Sequence, residues 1–154
     1  MGDADSPADI VKRFWAALYE RDWDAIASFF GASSVYWDVP TGPSTAAKGP
    51  ADIVARLQLG LEGLAGYEHF EGPVVEQGAI VVTEHREVWH WDSGETASLP
   101  FVSVMTVEGP VITLWKDYWD YGTLMNAAPQ AWHDRLANAD LSWIYDATDD
   151  GLAP

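Results

Sequence analysis

The chain has 154 residues, 48% of them hydrophobic and nine of them Trp, enough apolar mass for one domain with a core or an internal pocket. A formal charge of −16 with only eight Lys and Arg argues against nucleic acid and against an anionic membrane surface, since both need cations. The absence of Cys excludes disulfides, thiolate metal sites and a Cys nucleophile, and no apolar run reaches the length of a membrane span.

The acidic start MGDADSPAD lacks the apolar stretch of a secretory signal, so a cytoplasmic location is expected. Ser6-Pro7-Ala8-Asp9 then reads as a helix start, with a Ser cap, Pro in the first turn and an acid three residues after the cap. Ile10, Val11, Phe14, Trp15 and Leu18 recur at helical spacing to about Glu20. Asp22 is placed to cap a second short helix with Ile26, Phe29 and Phe30 inward, ended by Gly31. Ser33–Val39 reads as a strand with Tyr36 and Asp38 on one face. Residues 40–48 read as an irregular loop, and Gly49-Pro50 opens a third helix carrying Ile53, Leu57 and Leu61.

Strands follow at about Tyr67–Val75, Ala79–Trp91, Ala97–Val107 and Val111–Tyr121, joined by turns at Gln77-Gly78, Asp92-Ser93-Gly94 and Glu108-Gly109. In the second of them Val81, Thr83, His85, Glu87, Trp89 and Trp91 share a face. In the last, Thr113, Trp115, Asp117 and Trp119 share one, which sets Asp117 between two indoles. A desolvated carboxyl there has a raised pKa suited to proton transfer. Beyond the strands, residues 129–137 suggest a helix, and Leu141, Trp143, Ile144 and Tyr145 are too apolar to float free.

This order predicts an α+β fold, a curved antiparallel or mixed sheet wrapped around N-terminal helices. Residues 1–154 are read as a single domain, with a core of about 7–126 and a segment 127–154 that packs on the core or on a partner subunit. The half-apolar strand faces with Trp37 and with Arg86, Val88 and His90 need cover, so a homodimer is expected. The four His show no metal-ligand spacing, and no metal is expected.

Trp115-Lys116-Asp117-Tyr118-Trp119-Asp120 resembles the W-R-D-Y-F-D strand of the limonene-1,2-epoxide hydrolase family, within the nuclear transport factor 2-like (ketosteroid isomerase-like, SnoaL-like) superfamily. Leu99-Pro100, the Glu108-Gly109 turn, Tyr36-Trp37-Asp38 (for Y-x-N) and Glu84-His85-Arg86-Glu87 (for E-R-x-D) support the resemblance, which covers roughly residues 7–126. It implies a cone with an internal pocket and a cofactor-independent epoxide hydrolase adding water to a small apolar epoxide. By position Asp117 matches the base, Glu87 the acid and Tyr36 the water-holding Tyr, while Asp38 replaces an Asn and His85 an Arg. The catalytic set expected is therefore Asp117, Glu87 and a cationic His85 bridging them, with Tyr36 and Asp38 positioning water. Trp89, Trp115, Trp119, Phe101 and Ser103 are expected to line the substrate pocket. The alternatives are an isomerase, dehydratase or cyclase of the same superfamily acting on a carbonyl compound, and a non-catalytic small-ligand-binding module.

Overall fold

Ser6 caps helix α1 (Pro7–Tyr19) by the reciprocal pattern its sequence predicts, accepting from the Asp9 N–H at 3.2 Å while the Asp9 carboxylate accepts from the Ser6 N–H at 3.1 Å. The computed structural model describes residues 4–154, and the first three residues of the acidic stretch read for a signal lie outside them. Ile10, Val11, Phe14, Trp15 and Leu18 form one buried stripe of α1. Asp22 caps α2 (Trp23–Ala27), a helix shorter than expected; Phe29 and Phe30 follow its end and still pack into the core.

The described residues form seven strands, β1 (Val35–Asp38), β2 (Ala46–Lys48), β3 (Gly66–Gln77), β4 (Ile80–His90), β5 (Thr96–Glu108), β6 (Val111–Trp119) and β7 (Ile144–Tyr145). They form one sheet in the order β3-β4-β5-β6-β1-β2-β7. Among the described residues only β1 and β6 run parallel, with Tyr36 opposite Trp115 and Asp38 opposite Asp117. The other helices are α3 (Pro50–Leu61), α4 (Tyr121–Ala127) and α5 (Gln130–Ala137). The result is the mixed, curved sheet around N-terminal helices that the order of elements predicts.

Three short elements depart from the sequence reading. The stretch 40–48 is a 3-10 turn at Pro43–Thr45 followed by β2, not an irregular loop. Helix α4 starts where a strand end was expected, with Asp120 accepting from the Thr123 N–H at 2.8 Å. Strand β7 pairs with β2 and brings the later segment back onto the sheet.

The register shift between Thr106 and Val107 opposite β6 passes over Thr113. Ile112 thereby joins Trp115 in the main core instead of facing away from it. A second, smaller cluster of Val35, Trp37, Ala46 and Ala147 lies on the other face. Trp37, expected on an open face, is thus covered by the chain's own later segment. Among the described residues no helix is long and apolar enough to cross a membrane.

Candidate functional site

A cavity of about 390 Å³ lies inside the curve of the sheet, closed by α3, α4, α5 and β7. Its wall is mostly aromatic and aliphatic, with Trp89, Trp119, Trp132 and Trp143 beside Leu99 and Phe101. Three carboxyl groups reach it from three strands: Asp38 of β1, Glu87 of β4 and Asp117 of β6. The period-2 alternation of each strand turns them inward.

Asp38 accepts from the Tyr36 hydroxyl and the Trp119 indole N–H, both at 2.9 Å on Oδ1. On Oδ2 it pairs with Arg56 at 2.8 Å. Glu87 accepts from the hydroxyls of Tyr19 and Tyr67 on Oε1, at 2.6 and 2.8 Å, and from the Trp89 N–H on Oε2 at 2.7 Å. Burial and the adjacent Glu87 push both tyrosine hydroxyls well up, so they keep their protons and act as donors.

Asp117 is different. Its Oδ1 accepts from Ser103 and from the Trp115 N–H, while Oδ2 has no donor among the described residues. Fully enclosed side-chain polar atoms without a partner are there only the indole nitrogens of Trp15 and Trp91, so Asp117 Oδ2 opens onto the cavity. Burial, reinforced by Asp38, holds the Asp117 carboxyl well above the ordinary carboxylate range against the donors on Oδ1. Glu87 is also raised by burial, against its three donors.

His85 departs from expectation in both place and charge. It does not bridge Glu87 and Asp117, and its hydrogen bonds go instead to His69 at 2.8 Å, Thr83 at 3.0 Å and Ser103 at 3.1 Å. Its ring is stacked on Phe101, with centroids 3.9 Å apart, and edge-on to Trp15 at 4.4 Å. Burial in that aromatic shell, with His69 beside it, lowers its pKa to about 3, so it is neutral where a cation was expected. Desolvation wins because no carboxylate among the described residues hydrogen-bonds the ring. Ser103 is likewise not a pocket residue: it is fully buried behind Asp117 and joins it to His85. The other expected lining residues, Trp89, Phe101, Trp115 and Trp119, do face the cavity, as do Tyr36 and Asp38.

Besides Tyr19 and Tyr67, two participants escaped the sequence reading. Arg56 sits on α3 with its guanidinium over the rings of Tyr36 and Trp143, 5.0 and 5.1 Å from their centroids. Its sequence signal is an Arg between the apolar positions Ile53 and Leu57, which point that face of α3 at the sheet. His69 is the other, hidden because its strand's register against β4 is not readable from sequence.

A sequence comparison with curated proteins finds no match. Among solved structures the chain resembles a candidate SnoaL-like polyketide cyclase from Shewanella putrefaciens, with a TM-score of 0.71 and 17% identity over 82% of this chain and 87% of that one. An LEH-like epoxide hydrolase from M. tuberculosis gives a TM-score of 0.65 and 22% identity over 84% of this chain and 94% of that one. TerC, co-crystallized with polyporic acid, gives 0.66 and 21% over 79% and 98%. At these identities the likeness is one of fold. The model of the SnoaL-like domain matches residues 11–115, from the first turns of α1 to the middle of β6, and the chain belongs to that family.

Proposed function

We propose that the chain hydrolyses small apolar epoxides by carboxyl general acid–base catalysis. The observation that carries this reading is Asp117 Oδ2, a carboxyl oxygen without a donor among the described residues in a Trp-walled cavity, on a group whose proton is retained by burial. Asp117 holds the proton, and Asp38 stands against the fixed positive charge of Arg56.

In the reaction, Asp38 accepts a proton from water as the water oxygen bonds to one oxirane carbon. The C–O bond at that carbon breaks, and Asp117 gives its proton to the departing oxygen, leaving a diol. Tyr36, donating to Asp38, lies where it can orient the water. The positional match to the epoxide hydrolase family would make Asp117 the base and Glu87 the acid. Glu87 has a donor on each oxygen whereas Asp117 leaves Oδ2 free, which favours Asp117 as the acid, and Asp38, the carboxyl paired with a cation, as the base instead. Glu87, with Tyr19 and Tyr67, then forms a polar patch in the cavity wall.

A second reading rests on the parallel pairing that sets Asp38 opposite Asp117. Such a pair could move a proton beside a carbonyl, as in an isomerase, dehydratase or cyclase. The pairing of Asp38 with Arg56 is also what a binding pocket would contain, but Asp117 and Glu87 have no Arg or Lys partner among the described residues. The deciding experiment supplies a panel of apolar epoxides in ¹⁸O water. Diol carrying solvent oxygen supports hydrolysis. Carbonyl substrates exchanging deuterium at the adjacent carbon, with all epoxides untouched, would replace it with the second reading.

We also propose that two copies associate through the outer faces of β3–β6, the part of the expected surface that carries Arg86, Val88 and His90, because Phe70, Val75, Ile80 and Tyr118 are exposed there while Trp37 is covered by the chain's own later segment.

A further inference from the structure

Behind Asp117 lies a line of buried polar groups that the chemistry above does not use. His69 Nε2 is 2.8 Å from His85 Nδ1, His85 Nε2 is 3.1 Å from Ser103 Oγ, and Ser103 donates to Asp117 Oδ1 at 2.5 Å. The line runs from the half-buried His69 on β3, across β4 and β5, to β6.

Which way the protons run in this line depends on the tautomers of the two imidazoles. A neutral imidazole carries one N–H and one bare nitrogen, and which is which is set by its partners. If His69 Nε2–H donates to His85 Nδ1, the His85 proton must be on Nε2. That N–H then donates to Ser103 Oγ. A hydroxyl has a single proton, so Ser103, accepting from His85, has its own free to give to Asp117. With Ser103 and Trp115 both donating to Oδ1, a proton on Asp117 is confined to Oδ2, the oxygen that opens onto the cavity.

We infer that His69, His85 and Ser103 are positioning residues, a one-way donor chain that sets which oxygen of Asp117 carries the proton. This rests on the reading of Asp117 as the acid, because only an acid needs its proton on the cavity side. The environment keeps the chain neutral. His85 is enclosed by Trp15 of α1, Phe101 of β5 and Thr83. Tyr19 of α1 stacks on His69 with centroids 3.9 Å apart, and Glu71 is the acidic side chain that acts on it. The titratable groups acting on Asp117 are Asp38 from β1 and Glu87 from β4. Thr83, also 3.0 Å from His85 Nε2, competes for the same N–H and limits how completely the chain is enforced.

The test begins without substrate. In the ¹⁵N NMR spectrum of the whole protein with labelled His, His85 is expected to be neutral with its proton on Nε2 at neutral pH. A proton on Nδ1, or a charged ring, overturns the chain outright. Next, the Asp117 carboxyl is titrated by ¹³C NMR. Ser103→Ala removes one hydrogen bond to a charged group and should raise its midpoint by about one pH unit. His69→Leu should move the His85 tautomer and raise the midpoint by part of that amount. His69→Gln, which keeps an N–H donor, should restore both. An Asp117 midpoint unmoved by His69→Leu and by Ser103→Ala overturns the inference. In turnover assays the alkaline limb should follow the same shifts. Failure of the wild type to open any epoxide would overturn the proposed function, while the NMR results still decide the chain.

Discussion

Arg56 of α3 and Asp38 of β1 form a salt bridge at 2.8 Å whose side chains are only 9% and 18% exposed. The same guanidinium donates to the Thr45 carbonyl, so one side chain ties a helix, a strand and the turn before β2. Removing the cation leaves Asp38 among aromatic rings without a counter-charge. Arg56→Met should therefore cost about 3–5 kcal/mol of stability by denaturant unfolding. Adding Asp38→Asn to it should recover much of that loss. A cost below about 1 kcal/mol would class the pair with exposed ones.

Asp117→Asn should keep the fold and lose at least about a hundredfold in turnover, the usual range for a lost proton donor. The amide oxygen can still accept from Ser103 and Trp115, so thermal unfolding should be unchanged or shifted slightly upward. Activity within about tenfold of wild type, roughly 1.4 kcal/mol of barrier, would remove Asp117 from its role.

Stability should depend on pH through His85 in a definite window. Unfolded, the ring takes a proton near 6.5; folded, burial and His69 delay this to about 3. Between those values the unfolded chain binds more protons, so stability falls as pH falls through the window. Asp117 and Glu87 act in the opposite sense: with folded values raised, their contribution is lost as pH rises through those values. His85→Gln should flatten the acid-side loss in denaturant unfolding measured at several pH values. An unchanged slope would mean that the ring is already charged in the folded protein.

The outer sheet face carries exposed Phe70, Val75, Ile80 and Tyr118, with the Arg86 guanidinium 4.1 Å above the Phe70 ring. Large exposed apolar groups grouped on one face favour association. Sedimentation at micromolar concentration should give a dimer, and Val75→Glu should weaken it without altering turnover. A monomer in the wild type removes the proposal.

The long strands and the carboxyls on them were legible because alternation assigns each side chain to a face before any contact is known. Asp117, Glu87, Tyr36 and Asp38 all reached one cavity on that basis. Contacts between elements were not legible. His69 is the backbone partner of Glu87, yet its ring meets His85, a diagonal neighbour, and alternation cannot choose between the two. Nor could it foresee that the His85 ring turns toward His69 and Ser103 and away from the carboxyls. Strands β2 and β7 have three and two residues, too few for a period to register.

The carboxyls stand on β1, β4 and β6, whereas much of the facing wall comes from Trp132, Leu136, Leu141, Trp143 and Ile144, held by α5 and the two residue pairs joining β7 to β2. The carboxyls and this part of the facing wall are thus encoded in separate stretches of sequence. Under the proposed chemistry, substitutions at Trp132, Leu136 or Leu141 would resize the chamber away from the proton-handling groups, whereas Trp143 also packs on the Arg56 that pairs with Asp38. Such a division would leave the shape of the chamber open to change in one segment while the carboxyls stay on theirs.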